Sequence, residues 1–147
     1  MNQIHKAGAI IISENPHSMG MGSHLPCKCR RMMIVRPKER PFFLTPGGKY
    51  EGKETAEECL KRELMEELSV KLKTFRPYKT YEIGKAATSN LPLKLELYFV
   101  EIVGTPKPSS EIETIAWISK EEFQAKKYPL APSFDKVIPD LIKEGFL

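Results

Sequence analysis

The stretch from Gly47 to Val70, GGKYEGKETAEECLKRELMEELSV, constrains the fold more than any other part of this chain. A pair of glycines opens a short loop, and the loop leads into a helix. Thr55 is placed to cap that helix, with Glu58 three residues on to complete a capping box. Ala56, Leu60, Leu64 and Leu68 recur every fourth residue, a stripe that requires a core beneath it.

Carboxylates crowd the border of that stripe. With Leu60 at zero and about 100° per residue, Glu67 falls near −20°, Glu63 near −60° and Glu66 near −120°. A solvated acidic face would point away from the apolar residues and find Lys or Arg at i+3 or i+4. None lies ahead of Glu63, Glu66 or Glu67 within the helix. Like charges packed this way raise each other's pKa unless a positive group sits among them. A divalent cation answers the problem, and hard oxygen ligands suit Mg²⁺, with Mn²⁺ as its substitute.

Gly48, Glu54 and the run Arg62-Glu63-Leu64-Met65-Glu66-Glu67-Leu68-Ser69-Val70 resemble the Nudix box, G-x5-E-x7-R-E-U-x-E-E-x-G-U with U aliphatic. The match spans 23 residues and departs at one position, where Ser69 stands for the usual glycine. Glycine enters a left-handed helix cap without strain and serine does not, so the departure bears on the helix end rather than on the acids.

At 147 residues the chain is expected to form one domain, residues 1–147, with a substantial core. The formal charge of +4 is mild and no basic run marks a nucleic-acid arm. No apolar stretch reaches membrane-span length, and Met1 to Ser13 lacks the features of a signal peptide. Three cysteines, an odd number, fit a reducing cytoplasm better than a disulfide framework. The oligomeric state stays open, a homodimer included.

Ala7 to Ser13 reads as a strand buried on both faces, Glu14 to Arg30 as a long loop, and Arg31 to Arg36 as a second strand, the two forming a hairpin. His17, His24, Cys27 and Cys29 in the loop could bind zinc, but Cys-x-Cys is poor spacing and no second pair follows. Phe42 to Thr45 is read as a short strand delivering Pro46-Gly47-Gly48. Val70 to Tyr81 reads as a strand broken at Pro77, and Leu93 to Val103 as a long strand. A Pro-rich loop follows, then a last strand over Thr114 to Ile118. Ser119 with Glu122 caps a short helix. A final helix carries Phe134, Val137, Ile138, Leu141 and Ile142, with Pro139 expected to bend it and Gly145 near its end. This order implies an α+β protein, an α/β/α sandwich with a mixed β-sheet between helices.

The resemblance implies the same architecture and a reaction: metal-dependent hydrolysis of a pyrophosphate bond in a nucleoside diphosphate linked to another moiety. It implies a small-molecule nucleotide as substrate, a nucleoside triphosphate or a related nucleotide, cleaved by attack of water at phosphorus. Glu63, Glu66, Glu67 and the Gly48 carbonyl become metal ligands, with Glu63 either a ligand or the general base. Glu66 and Arg62 join Glu63 in the catalytic set. Arg62 would grip a ligand carboxylate, or else form only a surface pair with Glu58 or Glu66. Gly47, Gly48 and Glu54 would contact the substrate or support that loop. Family members often add an acid from a later loop, and Glu111 is preferred over Glu113. Phe43, Tyr50, Tyr81 and Trp117 could stack on a base or simply fill the core. Two other readings share the fold: a catalytically silent nucleotide-binding regulator, and an enzyme acting on RNA 5′ ends.

Overall fold

The apolar run at the N-terminus is divided between two sheets. A computed structural model describes residues 2–14, 30–87 and 89–147. His17, His24, Cys27 and Cys29 lie outside the described residues. In chain order the elements are β1 (Ile4–Ile10), β2 (Ile12–Glu14), β3 (Arg30–Pro37), β4 (Gly47–Lys49) and α1 (Ala56–Leu68). There follow β5 (Lys71–Ile83), β6 (Leu93–Val103), β7 (Ile112–Ser119), α2 (Lys120–Gln124) and α3 (Phe134–Lys143).

Strands β4, β1, β6 and β5 form one sheet in that order, and β2, β3 and β7 a second. The first sheet is mixed, since β1 runs parallel to β6 and antiparallel to β4. The sequence reading put one mixed sheet here; two are present because the chain changes sheets at Ile11. The expected hairpin therefore forms only from β2, where Ile12 opposes Met32. Its strands also reach one residue further at each side, taking in Glu14 and Arg30.

Both central strands are buried on two faces, as their continuous apolar runs require. Met32 and Ile34 of β3 pack with Phe134, Val137, Ile138 and Leu141 of α3. Met33 and Val35 face the other way, onto Cys59, Leu60, Leu64 and Leu68 of α1. The helices thus cover opposite faces. Each fully buried leucine of α1 removes enough apolar surface to favour the fold by about 1.5–3 kcal/mol.

The capping boxes form as the spacing predicts. Thr55 Oγ1 accepts from the Glu58 amide at 3.2 Å, and Glu58 Oε1 accepts from the Thr55 amide at 2.9 Å. Ser119 and Glu122 repeat the exchange at α2. Ser69 takes the left-handed conformation that glycine would have taken, φ 57° and ψ 38°. The loop after β6 covers the exposed helix end: the amides of Lys107 and Ser109 donate to the carbonyls of Leu68 and Glu67, each at 2.9 Å.

One expected strand is displaced. Phe42 to Thr45 is not a strand; Phe43 and Leu44 make isolated bridges, and the pairing strand is Gly47–Lys49 itself. The expected break at Pro77 is present as a register shift between Pro77 and Thr80, and β5 runs on two residues past Tyr81 to Ile83. On an edge strand the missing proline N–H costs no ladder bond. Helix α3 likewise continues past Pro139 to Lys143.

Candidate active site

Two glycines bring β4 against β1 and leave room for two carboxylates. Gly47 has φ of 130°, and a Cβ there would lie 2.2 Å from the Ala7 carbonyl oxygen. Only glycine tolerates both conditions. Its amide donates to Glu67 Oε1 at 2.9 Å. At Gly48 a Cβ would fall 2.3 Å from Glu63 Oε2, so the Glu63 carboxylate occupies space that any other residue would fill. The Gly48 carbonyl accepts from Cys59 Sγ at 3.5 Å, leaving it a second lone pair.

Glu63 and Glu67, one turn apart on α1, are both buried. They open onto a cleft of about 380 Å³ floored by Gly47, Gly48, Pro37 and Leu44. Glu51 and Glu111 line the same cleft, as do three cations, Lys6, Arg40 and Lys49. A narrower pocket of about 50 Å³ shares Lys6, Gly47, Gly48 and Glu67 with it and reaches between Val35, Leu95 and Ile112.

Arg62 supplies the positive charge that the spacing argument sought only ahead of the acids. Its guanidinium takes Glu54 in a two-pronged grip, Nε to Oε2 at 2.7 Å and Nη2 to Oε1 at 2.9 Å. Nη1 donates to Glu63 Oε2 at 3.0 Å and to Glu66 Oε1 at 3.3 Å, and Nη2 to the Lys49 carbonyl at 3.0 Å. The expectation that these acids lack a cation is therefore corrected: the partner lies behind them, four residues before Glu66. Glu58, engaged in the capping box, is not among its partners.

Burial drives the electrostatics. It pushes the Glu67 carboxyl up to about 8, with Glu63 and Glu111 adding repulsion and the Gly47 amide opposing. Glu63 is raised mainly by burial, against the pull of Arg62. Glu54 is held down to about 2, chiefly by its hydrogen bonds from Arg62. Burial lowers Lys6, and repulsion from Lys49 adds to it.

The predicted residues thus divide by position. Gly47, Gly48, Glu63, Glu67 and Glu111 share the cleft. Glu54 is turned onto Arg62, and Glu66 is half exposed at the helix surface with Arg62 as its partner. Glu113 pairs with Arg36 at 3.3 Å. Among the described residues no three His, Cys, Asp or Glu side chains are gathered tightly enough to chelate one ion. The reason is visible in the bonding: Arg62 draws Glu63 and Glu66 to itself, and Gly47 takes Glu67.

A family model described as NUDIX domain matches residues 28–141. The chain belongs to the Nudix family. No curated protein matches it. Among solved structures, the E. coli ORF135 protein is 26% identical, with a TM-score of 0.62 over 90% of this chain and 83% of that one. A structure from a study of MutT of Aliivibrio salmonicida and Vibrio cholerae superposes with a TM-score of 0.69 at 20% identity, covering 97% of this chain and 99% of the other. The NUDIX domain of Shewanella oneidensis NrtR, complexed with ADP ribose, gives 0.68 at 13%, covering 98% and 89%. The last two likenesses are of fold. Within this Nudix hydrolase fold, no described helix is long and apolar enough to cross a membrane.

The aromatic candidates of this Nudix chain lie off the cleft. Phe43 is core, and Tyr81 is buried with its hydroxyl donating to Asp140 at 2.6 Å. Trp117 packs against the α1-side core. Tyr50 donates a short hydrogen bond to Glu96, which also meets His5 at 3.1 Å. The sequence reading missed Lys6, Arg40 and Lys49. Lys6 carried a signal, being a lysine set directly before the apolar run of β1.

Proposed function

We propose that this protein hydrolyses a pyrophosphate bond in a nucleoside diphosphate linked to another moiety, using Mg²⁺ or Mn²⁺. The observation that carries the reading is the pair of buried carboxylates, Glu63 and Glu67, set against Gly48 and Gly47 in one cleft with Glu111. Carboxylate and peptide oxygens are the hard donors such ions prefer. Arg62 answers Glu63, but only the Gly47 amide answers Glu67, so burying the two acids side by side stays unfavourable and this donor set fits a divalent cation.

Glu63, Glu67 and Glu111, with the Gly48 carbonyl, would hold the metal, and Glu66 would join them by turning from Arg62. Bound there, the ion supplies neutralisation of phosphate charge and activation of water. The protein's own groups do the positioning. Arg62 holds Glu63 through one arm and is itself anchored by Glu54, so the carboxylate's angle is set by a buttressed fork. Glu63 is raised in pKa and stands at the cleft wall, suited to take a proton from the attacking water if it is not a ligand. Gly47 and Gly48 let the substrate approach the backbone closely.

The test is a broad screen of nucleotides with Mg²⁺, both products identified by mass, run beside Glu67→Gln. Turnover by the parent protein and at least a hundredfold loss in the variant, with its fold retained, is the expected result. Equal turnover by the two would dismiss the site.

A further inference from the structure

Strand β4 carries the backbone of the site on very little. Its three residues pair with β1, and two of them are glycines with no side chain to hold them. So short an edge strand opens readily unless something besides the ladder fixes it. At its front end the Gly47 amide donates to Glu67 Oε1 at 2.9 Å. At its rear end stands Tyr50, which lies off the cleft and has no part in the reading above.

Tyr50 is held from three directions. Its amide donates to the His5 carbonyl of β1 at 3.3 Å, and its ring packs on the His5 imidazole with centroids 4.5 Å apart. Its hydroxyl donates to Glu96 of β6. In the sheet Ala7 lies between Gly48 on one side and Glu96 on the other. Glu96 thus belongs to the second strand from β4, about 10 Å away at the usual strand spacing. The tyrosine reaches over β1 and ties the edge strand to the interior of the sheet. Glu96 is fixed in turn, since its other oxygen meets His5 Nε2 at 3.1 Å. A hydrogen bond to a carboxylate is stronger than a neutral one, which suits it to such a tie.

Between the two anchors lies the backbone of the site itself. The Gly48 carbonyl accepts from Cys59 Sγ at 3.5 Å, and the Lys49 carbonyl from Arg62 Nη2 at 3.0 Å. The first is among the groups that would hold the metal, and the second steadies the fork that grips Glu63. A shift of Tyr50 moves both, and small displacements of such groups cost rate.

We infer that Tyr50 and Glu96 are positioning residues: the strap from β4 to β6 holds the Gly48 and Lys49 carbonyls in register with Glu63 and Arg62. Its effect on rate rests on the hydrolase reading above; its effect on β4 does not.

Amide hydrogen exchange, followed by NMR on the metal-free protein, tests the strap. In Tyr50→Phe and in Glu96→Ala the amides of Gly47 and residue 50 should exchange about tenfold faster, while those of Val137 and Ile138 in α3 keep their parent rates. The double variant should be no faster than either single one. Glu96→Gln leaves an oxygen for the hydroxyl and should recover most of the loss. With the nucleotide that the screen identifies, kcat of Tyr50→Phe and Glu96→Ala should fall about tenfold, with KM within about twofold of the parent's. Parent-like exchange at Gly47 and residue 50, or equal acceleration in α3, overturns the assignment. Faster exchange with parent kcat overturns the positioning role and leaves the hydrolase reading standing. A parent protein that turns over no nucleotide overturns the hydrolase reading and the effect on rate with it, while the exchange rates still decide the strap.

Discussion

The Ser69 hydroxyl lies 2.8 Å from that of Ser109, tying the C-terminal end of α1 to the loop that leads into Glu111. The serine that departs from the box pattern is thus engaged. It bears left-handed strain of about 1 kcal/mol, and a hydrogen bond worth about 0.5–1.5 kcal/mol offsets it. Ser69→Gly should lose the bond and the strain together and leave stability nearly unchanged. Ser69→Ala should lose only the bond and unfold about 1 kcal/mol more easily in urea. Equal midpoints for the two variants would refute this account.

Gly47 and Gly48 should fail differently. A methyl at Gly47 meets the Ala7 backbone at a φ that alanine avoids, so Gly47→Ala should destabilise the protein by about 2 kcal/mol or more. A methyl at Gly48 meets the end of the Glu63 side chain, which can swing aside. Gly48→Ala should keep the fold and lose activity by about a hundredfold, as small misplacements of reacting groups do. Thermal unfolding and initial rates, measured on both variants, separate the cases.

Arg62→Lys keeps the charge and removes the fork. Lysine cannot span Glu54 and Glu63 together, so kcat should fall by about tenfold or more while binding of substrate changes less. A variant with parent kcat would show that the grip on Glu63 is incidental.

Stability of the metal-free protein should fall with rising pH. Glu67 is raised from its ordinary 4.5 to about 8, so it favours the fold fully below 4.5 and loses that contribution as pH rises through 8. The unfolding midpoint should drop between about pH 5 and about pH 8, an effect on the order of a few kcal/mol. Glu67→Gln should flatten the slope, and so should Mg²⁺. Parallel profiles for parent and variant would show that another group is responsible.

Local features were readable because their physics is local. The caps at Thr55 and Ser119 need only a residue and its third neighbour, and the stripe of α1 needs only a helical period. The placement of Phe42 to Thr45 failed because an apolar run does not say which strand it will meet; the edge of β1 took Gly47–Lys49 instead. Aromatic candidates were not separable by composition. Tyr50 faces Glu96, 46 residues away, and no short-range pattern announces that pair.

By itself the sequence determined the acids, their order on one helical face and the glycines that must precede them, since spacing along a helix converts directly into angle. Tertiary structure alone decided that the chain changes sheets at Ile11, that Arg62 reaches Glu54 and the Lys49 carbonyl across the loop, and that Lys6 from β1 meets Arg40 and Lys49 across one cleft. Those depend on which strands pair and on what burial removes from water, and neither is encoded within a single turn or strand.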